Sequence, residues 1–384
     1  MGKSFEAVQY KGMNKFSQDN KRNAGCDALR PSLTEVTISV VVPVYNGGEP
    51  FRQCLRSLTT LNPPPMEVIV VADGDTDGSW QMAEEFGALV IRLPTSSGGP
   101  ARPRNIGALH AKGDCLFFVD ADVCVPPDTV GKVAGTFHRN PDLTALIGSY
   151  DDTPGAQNFL SQYKNLLHHY VHQNAQKDAS TFWGACGAIR REIFLDVGGF
   201  DENYRRPSIE DIELGYRLKK AGHQIHLCKD INVKHLKRWE IFSLLKADFF
   251  YRAIPWTELI LRDRMFINDL NIGHSERLCV VLTYGLVGAL IGAIWWAPLL
   301  AVGVLIMVAL LVNNAPLYRF FLRKRGLRFA LQSVPWHWLY YLYSGLAFAI
   351  GLARHVFRGS RKLGFTKPAL LPESIDTLRK PGGR

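Results

Sequence analysis

Two carboxylates, Asp120 and Asp122, directly follow a short apolar run and are a natural starting point for chemistry in this sequence. The run, residues 115–119, is too short and too rich in β-formers for a surface helix, so it predicts a buried central strand ending at a sheet edge. Strand-like spacing around Ala121 points both carboxylates to one side. Such oxygens suit a hard divalent cation that is shared with a diphosphate. Taken alone, the triplet fits equally a strand followed by an acidic turn.

Strand-like and helix-like runs alternate on the N-terminal side of this triplet. β-rich runs at residues 36–46, 67–71 and 88–93 alternate with helical segments at 47–58, 80–87 and 104–113, and Pro43 is expected to end the first strand. This alternation is typical of an α/β protein with a doubly wound, mostly parallel sheet. Beyond residue 122 the alternation loosens. There His168 and His172, four apart, have zinc-compatible spacing, but they predict an ordinary helix face because no third ligand is near them.

The basic character of the chain is concentrated at its C-terminal end. The 384 residues are 47% hydrophobic and 21% charged, which is typical of a globular protein of two or three domains. The net charge is +10, but residues 278–384 carry 13 Lys/Arg against 2 Asp/Glu, which leaves residues 1–277 at −1. This distribution favours an anionic membrane surface over nucleic acid as a partner. Seven cysteines without a CxxC pair predict reduced thiols in a cytosolic domain.

A long apolar region coincides with this change in charge. Residues 278–318 carry no formal charge and are too long for one span of a roughly 30 Å apolar core, so they predict a helical hairpin turning near Trp295. Residues 329–353 are long enough to cross once more, but Pro335 and the basic residues that follow favour a re-entrant or interfacial segment equally. We expect two or three crossings, with the basic residues 319–328 on the cytosolic side.

The chain therefore divides into five predicted parts. A mobile polar arm precedes an α/β domain, and a segment of amphipathic helices follows that is either interfacial or packed on the globular domain. The apolar region and a basic tail complete the chain. The predicted boundaries are 1–34 for the arm, 35–239 for the α/β domain, 240–277 for the amphipathic helices, 278–353 for the membrane region and 354–384 for the tail.

Six segments between residue 36 and about residue 239 resemble, in order, the motifs of family-2 glycosyltransferases. They are SVVVPVYN (39–46), ADGDTDGS (72–79), PRNIGALHAKGD (103–114), FFVDAD (117–122), WGACGAIRREIFLDVGGFDE (183–202) and EDIELGYRL (210–218). The resemblance implies the nucleotide-sugar-binding GT-A fold, transfer with inversion, and Mg²⁺ or Mn²⁺ as cofactor. The sequence departs from the family pattern at Ala72, where an aspartate is usual, so the resemblance does not indicate which base is bound.

Several polar and aromatic residues are predicted to bind the donor. A nucleotide sugar needs an apolar ledge, an acceptor for hydrogen bonds from its base or ribose, and neutralisation of its diphosphate. Pro43, Tyr45 and Asp73 provide the first two, and the resemblance implies that Asp73 contacts the base. It also implies that Asp120 faces the ribose or donor sugar and that Arg104 contacts the donor. Alternatively, Pro43 only ends a strand and Arg104 only begins a helix.

The predicted catalytic residues open a helix. An acceptor hydroxyl must lose its proton as it attacks the anomeric carbon, so the base should be a carboxylate that faces the donor. We assign this role to Asp211 and a positioning role to Glu210, although such a pair could be a plain N-terminal charge on the helix. The resemblance implies that Asp122 and His235 hold the cation, which would stabilise the leaving diphosphate.

Residues 235–239, HLKRW, resemble the second half of the QxxRW motif of processive polymer synthases. Arg238 would contact the diphosphate and Trp239 would form the floor of the acceptor site. The glutamine of the motif is missing, so the sequence does not support polymerisation.

The predicted function is that of a metal-dependent, inverting, hexosyltransferase-type glycosyltransferase of the cell envelope. It would be a multi-pass protein of the cell membrane with a cytosolic catalytic domain, using a nucleotide-diphosphate sugar and a lipid-linked or membrane-associated acceptor, without nucleic acid. The alternatives are a polysaccharide synthase making short products, a non-catalytic membrane scaffold, and an anchored enzyme that acts on soluble glycans. A dinucleotide-dependent oxidoreductase is disfavoured because no GxGxxG opens the first helix.

Overall fold

The computed structural model describes residues 36–264 and 273–357. The predicted arm 1–34, residues 265–272 of the 240–277 segment and most of the tail 354–384 lie outside these residues. The strands are β1 Ile38–Val44, β2 Glu67–Asp73, β3 Leu89–Leu93, β4 Cys115–Val119, β5 Val123–Cys124, β6 Ala145–Tyr150, β7 Cys186–Arg190 and β8 Ile225–His235.

Helices connect these strands and make up the C-terminal part. The α/β domain contains α1 Gly48–Thr59, α2 Ser79–Glu85, α3 Ala101–His110, α4 Thr129–Arg139, α5 Phe159–Asn174, α6 Arg191–Asp196 and α7 Glu210–Lys220. The chain then continues through α8 Ile241–Lys246, a π-helix Ala247–Ala253, α9 Ile254–Asp263, α10 His274–Gly292, α11 Leu299–Asn313 and α12 Ala315–Phe357.

The sheet is mixed, which corrects the expectation of a mostly parallel one. Its eight strands lie in the order β3-β2-β1-β4-β7-β6-β8-β5. β3, β2, β1 and β4 are parallel, but β7 is antiparallel to both β4 and β6, and β5 is antiparallel to β8. The direction of β7 was hidden because a strand buried on both faces is equally apolar whichever way it runs.

β1 continues one residue past Pro43, so the expected end of this strand at Pro43 is wrong. Pro43 is paired with Val71 of β2, whereas the pairing of β1 with β4 ends at Val41. A proline lacks the N–H that a ladder needs on one side. Pro43 is tolerated because β1 has a partner on only one side at this position.

Apolar residues cover both faces of the sheet. Alternate residues of β1 enter two different clusters, Val40 and Val42 on one face and Val41 on the other, and all three are fully buried. The period of two along the strand produces this division. Helices α1 and α4 pack on the first face and α3, α6 and α7 on the second.

Close contact with the chain at Thr181–Phe182 positions α7. A Cβ at Gly215 would lie 2.2 Å from the backbone nitrogen of Phe182. We expect Gly215→Ala to destabilise the domain by about 1–3 kcal/mol because α7 would have to move away from the chain at Thr181–Phe182. Thermal unfolding measures this. Gly288→Ala on α10 is the matched control, because a Cβ there meets nothing within 4 Å and should not lower the melting temperature.

The C-terminal helices expose apolar side chains over much of their surface, including Val281 of α10, Leu305 of α11 and Leu331 of α12. Among the described residues one helix, α10, has the length and apolarity of a membrane span, and α11 with α12, bent by 63°, would form a second if the bent pair counts as one. α12 runs through Pro335, so the expected interruption there is wrong. The break lies instead at Gly326, whose φ is +81°.

The basic segment 319–328 contacts the α/β domain. Arg325 donates to Oε1 of Gln162 at 2.8 Å and to the carbonyl oxygen of Asp152 at 2.7 Å, and Lys324 pairs with the Asp152 carboxylate. The start of α12 is therefore attached to α5 and the loop before it, with Phe321 buried against Leu166.

Candidate active site

A cavity of about 900 Å³ opens at the carboxyl ends of β1, β2 and β4. Ligands of open α/β sheets bind at this edge, because the strand ends and the following loops meet there. The structure brings every predicted site residue to the wall of this cavity: Pro43, Tyr45, Asp73, Arg104, Asp120, Asp122, Glu210, Asp211, His235, Arg238 and Trp239.

Asp122 and His235 face each other across the end of the sheet. The β5–β8 ladder pairs Val123 with His235, and this register leaves Oδ2 of Asp122 3.7 Å from Nε2 of His235. Burial raises the pKa of Asp122, but His235 and Lys237 outweigh it and lower the pKa to about 2. An ionised carboxylate beside an imidazole fits a divalent cation that takes its other ligands from substrate phosphates and water. The described residues contain no group of three or more His, Cys, Asp or Glu placed to hold a metal.

Arg104 joins two carboxylates that come from distant parts of the chain. Its Nη2 donates to Oδ1 of Asp120 at 2.6 Å and its Nη1 to Oε1 of Glu210 at 2.8 Å, while Nε has no partner within the described residues. The guanidinium is buried and fits beside Gly184, where a Cβ would come within 2.7 Å of it. Arg104 therefore connects the end of β4 with the start of α7.

Asp211 is a half-buried carboxylate held by backbone donors. The N–H of Gly184 donates to Oδ2 at 3.0 Å, and that of Ile212 donates to Oδ1 at 2.8 Å. Burial, and after it the charge of Glu210, raises the pKa of Asp211 to about 7 despite these hydrogen bonds and Arg104. A carboxylate with such a pKa can accept a proton near neutral pH. Glu210 is already occupied by Arg104 and by the N–H of Ser208, which suits a positioning role.

The raised pKa of Asp211 predicts the pH dependence of turnover. A base must be deprotonated to act, so we expect kcat/KM of sugar transfer to rise with pH through about 7 and to level off above it. Initial rates between pH 5 and 9 at saturating cation measure the profile. A profile already flat at pH 5 would contradict the assignment of Asp211.

Asp73 is tied to the loop at residues 96–99. Both of its carboxylate oxygens lie 3.0 Å from the N–H of Ser97, and the hydroxyls of Ser96 and Ser97 donate to Oδ2. Gly74 has φ +71°, and a Cβ there would lie 2.4 Å from the nitrogen of Ser96. Asp73 thus shapes this wall of the cavity, and exposed Tyr45 stands at its mouth.

Arg238 and Trp239 differ in their burial. Arg238 is exposed and donates to Glu240 at 2.8 Å. Trp239 is 5% exposed, packs with Leu160 and Leu244, and reaches the cavity with only a small part of its surface. A ring packed in this way supports the wall more than it presents a stacking surface.

The cavity also contains residues that sequence reasoning missed. The ring of Tyr150 stacks on His235 at 4.3 Å between centroids, and His168 packs against Tyr150 and Trp183. The spacing of His168 and His172 was the available signal, but it was interpreted as an ordinary helix face. Both histidines in fact line the cavity, and their ring centroids are 4.1 Å apart.

Comparison with known proteins agrees with this geometry. Residues 39–198 match the model of the family described as Glycosyl transferase family 2, and residues 165–239 match that of the N-terminal domain of galactosyltransferase. Residues 39–198 are therefore similar to glycosyl transferase family 2, and the mixed α/β sheet agrees with the GT-A fold.

Individual relatives cover the chain only in part. Glycosyltransferase GlyA of Streptococcus pneumoniae is 34% identical over 264 residues, which are 66% of this chain and 36% of that protein. An uncharacterized glycosyltransferase of Haemophilus influenzae is 29% identical over 183 residues, 47% of this chain and 61% of that one. The chain thus spans less than two thirds of either relative.

Among solved structures, mannosyltransferase PcManGT from Pyrobaculum calidifontis, in complex with GDP-Man and Mn²⁺, covers 87% of this chain and 91% of its own. Its sequence identity is 16% and its TM-score is 0.46, values too low for a functional inference.

Proposed function

We propose that this protein transfers a sugar from a nucleotide-diphosphate sugar to a hydroxyl group of a lipid-linked or membrane-associated acceptor, with inversion at the anomeric carbon. The observation that carries the proposal is the position of Asp211, a half-buried carboxylate with a pKa of about 7, in the same cavity as the Asp122–His235 pair. A base and a cation site that face one cavity are what a single displacement requires.

In this mechanism Asp211 accepts the proton of the acceptor hydroxyl. The oxygen then bonds to the anomeric carbon while the bond from that carbon to the diphosphate oxygen breaks. The Arg104 link to Glu210 and Asp120 keeps the base and the donor-side carboxylate in fixed relation. Asp122 and His235 would hold Mg²⁺ or Mn²⁺, which would supply charge neutralisation for the leaving diphosphate.

The membrane part of the proposal rests on the C-terminal helices. Their exposed apolar surface and their contact with the α/β domain through Lys324 and Arg325 favour a hairpin in the cell membrane that holds the cavity near its surface. A cytosolic catalytic domain agrees with the positive charge of residues 319–328. Two crossings agree with the described helices, since α10 is one candidate span and the bent pair of α11 and α12 is a second.

Labelled nucleotide sugars test this function. Membranes that contain the protein are incubated with each sugar nucleotide, and the products are divided between organic solvent and water. We expect label in the organic phase with the wild type and its loss with Asp211→Asn. Label only in a water-soluble product would contradict the lipid-linked acceptor but leave glycosyl transfer intact.

A further inference from the structure

One side of the cavity carries two cations that the proposed chemistry does not use. Lys164 of α5 and Arg252 of the π-helix both line it. Asp248, one π-helical turn before Arg252, is buried and accepts a hydrogen bond from each cation. Nζ of Lys164 lies 2.6 Å from its Oδ2, and Nη1 of Arg252 lies 2.9 Å from its Oδ1. Two cations are thus fixed in place by one carboxylate.

The cluster keeps an excess positive charge. Among the described residues Asp248 is the only carboxylate that forms a salt bridge with Lys164 or Arg252. Burial, and the charge of Arg252, lower the pKa of Lys164 even though Asp248 opposes them. The side chains of Lys164 and Arg252 are 22% and 43% exposed, so a ligand in the cavity can reach both, and a bound anion would offset their charge.

Uncharged polar groups beside the cations also lack partners. Nε2 of His168, one turn after Lys164 on α5, forms no hydrogen bond within the described residues, and neither does Oδ1 of Asn165, which is 2% exposed. Burial keeps the pKa of His168 well below its usual value, so the imidazole is neutral and can donate or accept. Buried polar atoms rarely lack a hydrogen-bond partner unless a ligand or a water molecule provides one.

The cluster is linked to the helix start that carries the base. The carbonyl oxygen of Tyr251, the residue before Arg252, accepts from the hydroxyl of Ser208, and the N–H of Ser208 donates to Glu210, the residue before Asp211. The donor site proposed at Asp122 and His235 uses other residues of the cavity. The Tyr343 hydroxyl of α12 donates to Oδ2 of Asp248 at 2.8 Å, so the cluster also adjoins the apolar helices.

We propose that Lys164 and Arg252 bind the phosphate group of a hydroxyl-bearing phosphate ester that serves as acceptor, while its hydroxyl faces Asp211. A guanidinium and an ammonium held side by side are well suited to phosphate oxygens. The inference rests on the proposed glycosyl transfer and specifies its acceptor. The ester has two possible sources, a lipid headgroup or a soluble polyol or sugar phosphate.

Tryptophan fluorescence of the full chain in detergent tests this site, since Trp183, Trp239 and Trp256 line the cavity. The probes are dihexanoylphosphatidylglycerol, glycerol 3-phosphate and phosphate-free dihexanoylglycerol. We expect a phosphate probe to bind, and Lys164→Gln and Arg252→Gln each to weaken it about tenfold or more, through loss of a charge-assisted hydrogen bond. Lys132→Gln, a surface cation of α4 paired with Asp128, is the matched control and should bind as the wild type does.

The outcomes distinguish a lipid from a soluble phosphate ester. They also distinguish failure of the phosphate site from failure of the proposed glycosyl transfer. Tighter binding of the phospholipid indicates a lipid acceptor, and tighter binding of glycerol 3-phosphate indicates a soluble one. Equal binding of dihexanoylglycerol, or no effect of either substitution, would overturn the phosphate site. So would weakened binding of UDP or GDP in the same two variants, because the cations would then serve the donor. Phosphate binding by a protein that never turns over a nucleotide sugar would refute the proposed function instead.

Discussion

Replacing Asp211 with Asn is expected to lower sugar transfer by about 10²–10⁴-fold while donor affinity changes little. The substitution preserves the size of the side chain but removes the proton acceptor. Asp211 accepts hydrogen bonds from the N–H groups of Gly184 and Ile212. Within the described residues it forms none with Arg104 or with the Asp122–His235 pair, so the donor side of the cavity should stay intact. Release of the nucleoside diphosphate measures turnover, and equilibrium titration with the nucleotide measures binding.

Asp178→Asn is the control for this experiment. Asp178 is an exposed carboxylate that pairs with Lys219 outside the cavity, so its substitution should leave turnover unchanged. Full activity of Asp211→Asn would remove this carboxylate from the base role. If a strain lacking the protein were complemented equally well by Asp211→Asn and by the wild type, the scaffold alternative would gain support.

Replacing Arg104 with Met is expected to destabilise the protein by about 3–5 kcal/mol, because Glu210 and Asp120 would lose the cation between them. Glu210 is buried, and removal of one partner from a buried ion pair leaves an uncompensated charge. Denaturant titration followed by circular dichroism gives the change in free energy of unfolding.

Arg238→Met is the matched control, because it removes an arginine from an ion pair at the surface. The side chains of Arg238 and Glu240 are 68% and 62% exposed, so breaking their pair should change stability by only about 0–1 kcal/mol. Equal effects of the two substitutions would show that the buried link contributes no more than an exposed one. A stable Arg104→Met protein that has lost turnover would assign Arg104 to catalysis alone.

Much of the first half of the fold was predictable from local pattern. The runs around Val40, Val70 and Phe117 have the composition of buried strands, and each corresponds to one in the structure. Parallel order follows because helices connect these strands. The antiparallel direction of β7 was not predictable. A strand that is buried on both faces is apolar throughout, so its sequence does not show whether it runs parallel or antiparallel to its neighbours.

Local sequence pattern also predicted the C-terminal helices only in part. Absence of charge over residues 278–318 predicted apolar helices, and the structure has α10 and α11 there. Pro335 was expected to interrupt the next segment, yet α12 passes through it and breaks at Gly326. A proline within a long helix is tolerated when neighbouring helices support the segment, and this support is a tertiary property.

Sequence alone indicated several candidates for chemistry: the resemblance of its motifs to those of a known family pointed to Asp122, Asp211 and His235, because such motifs are local stretches of sequence. Only the tertiary structure decided their partners. It joined Asp120 to Glu210 through Arg104, and it placed Lys164 and Arg252 on one carboxylate in the cavity wall. Such contacts connect residues up to 106 positions apart, and their energies depend on burial, which no local pattern specifies.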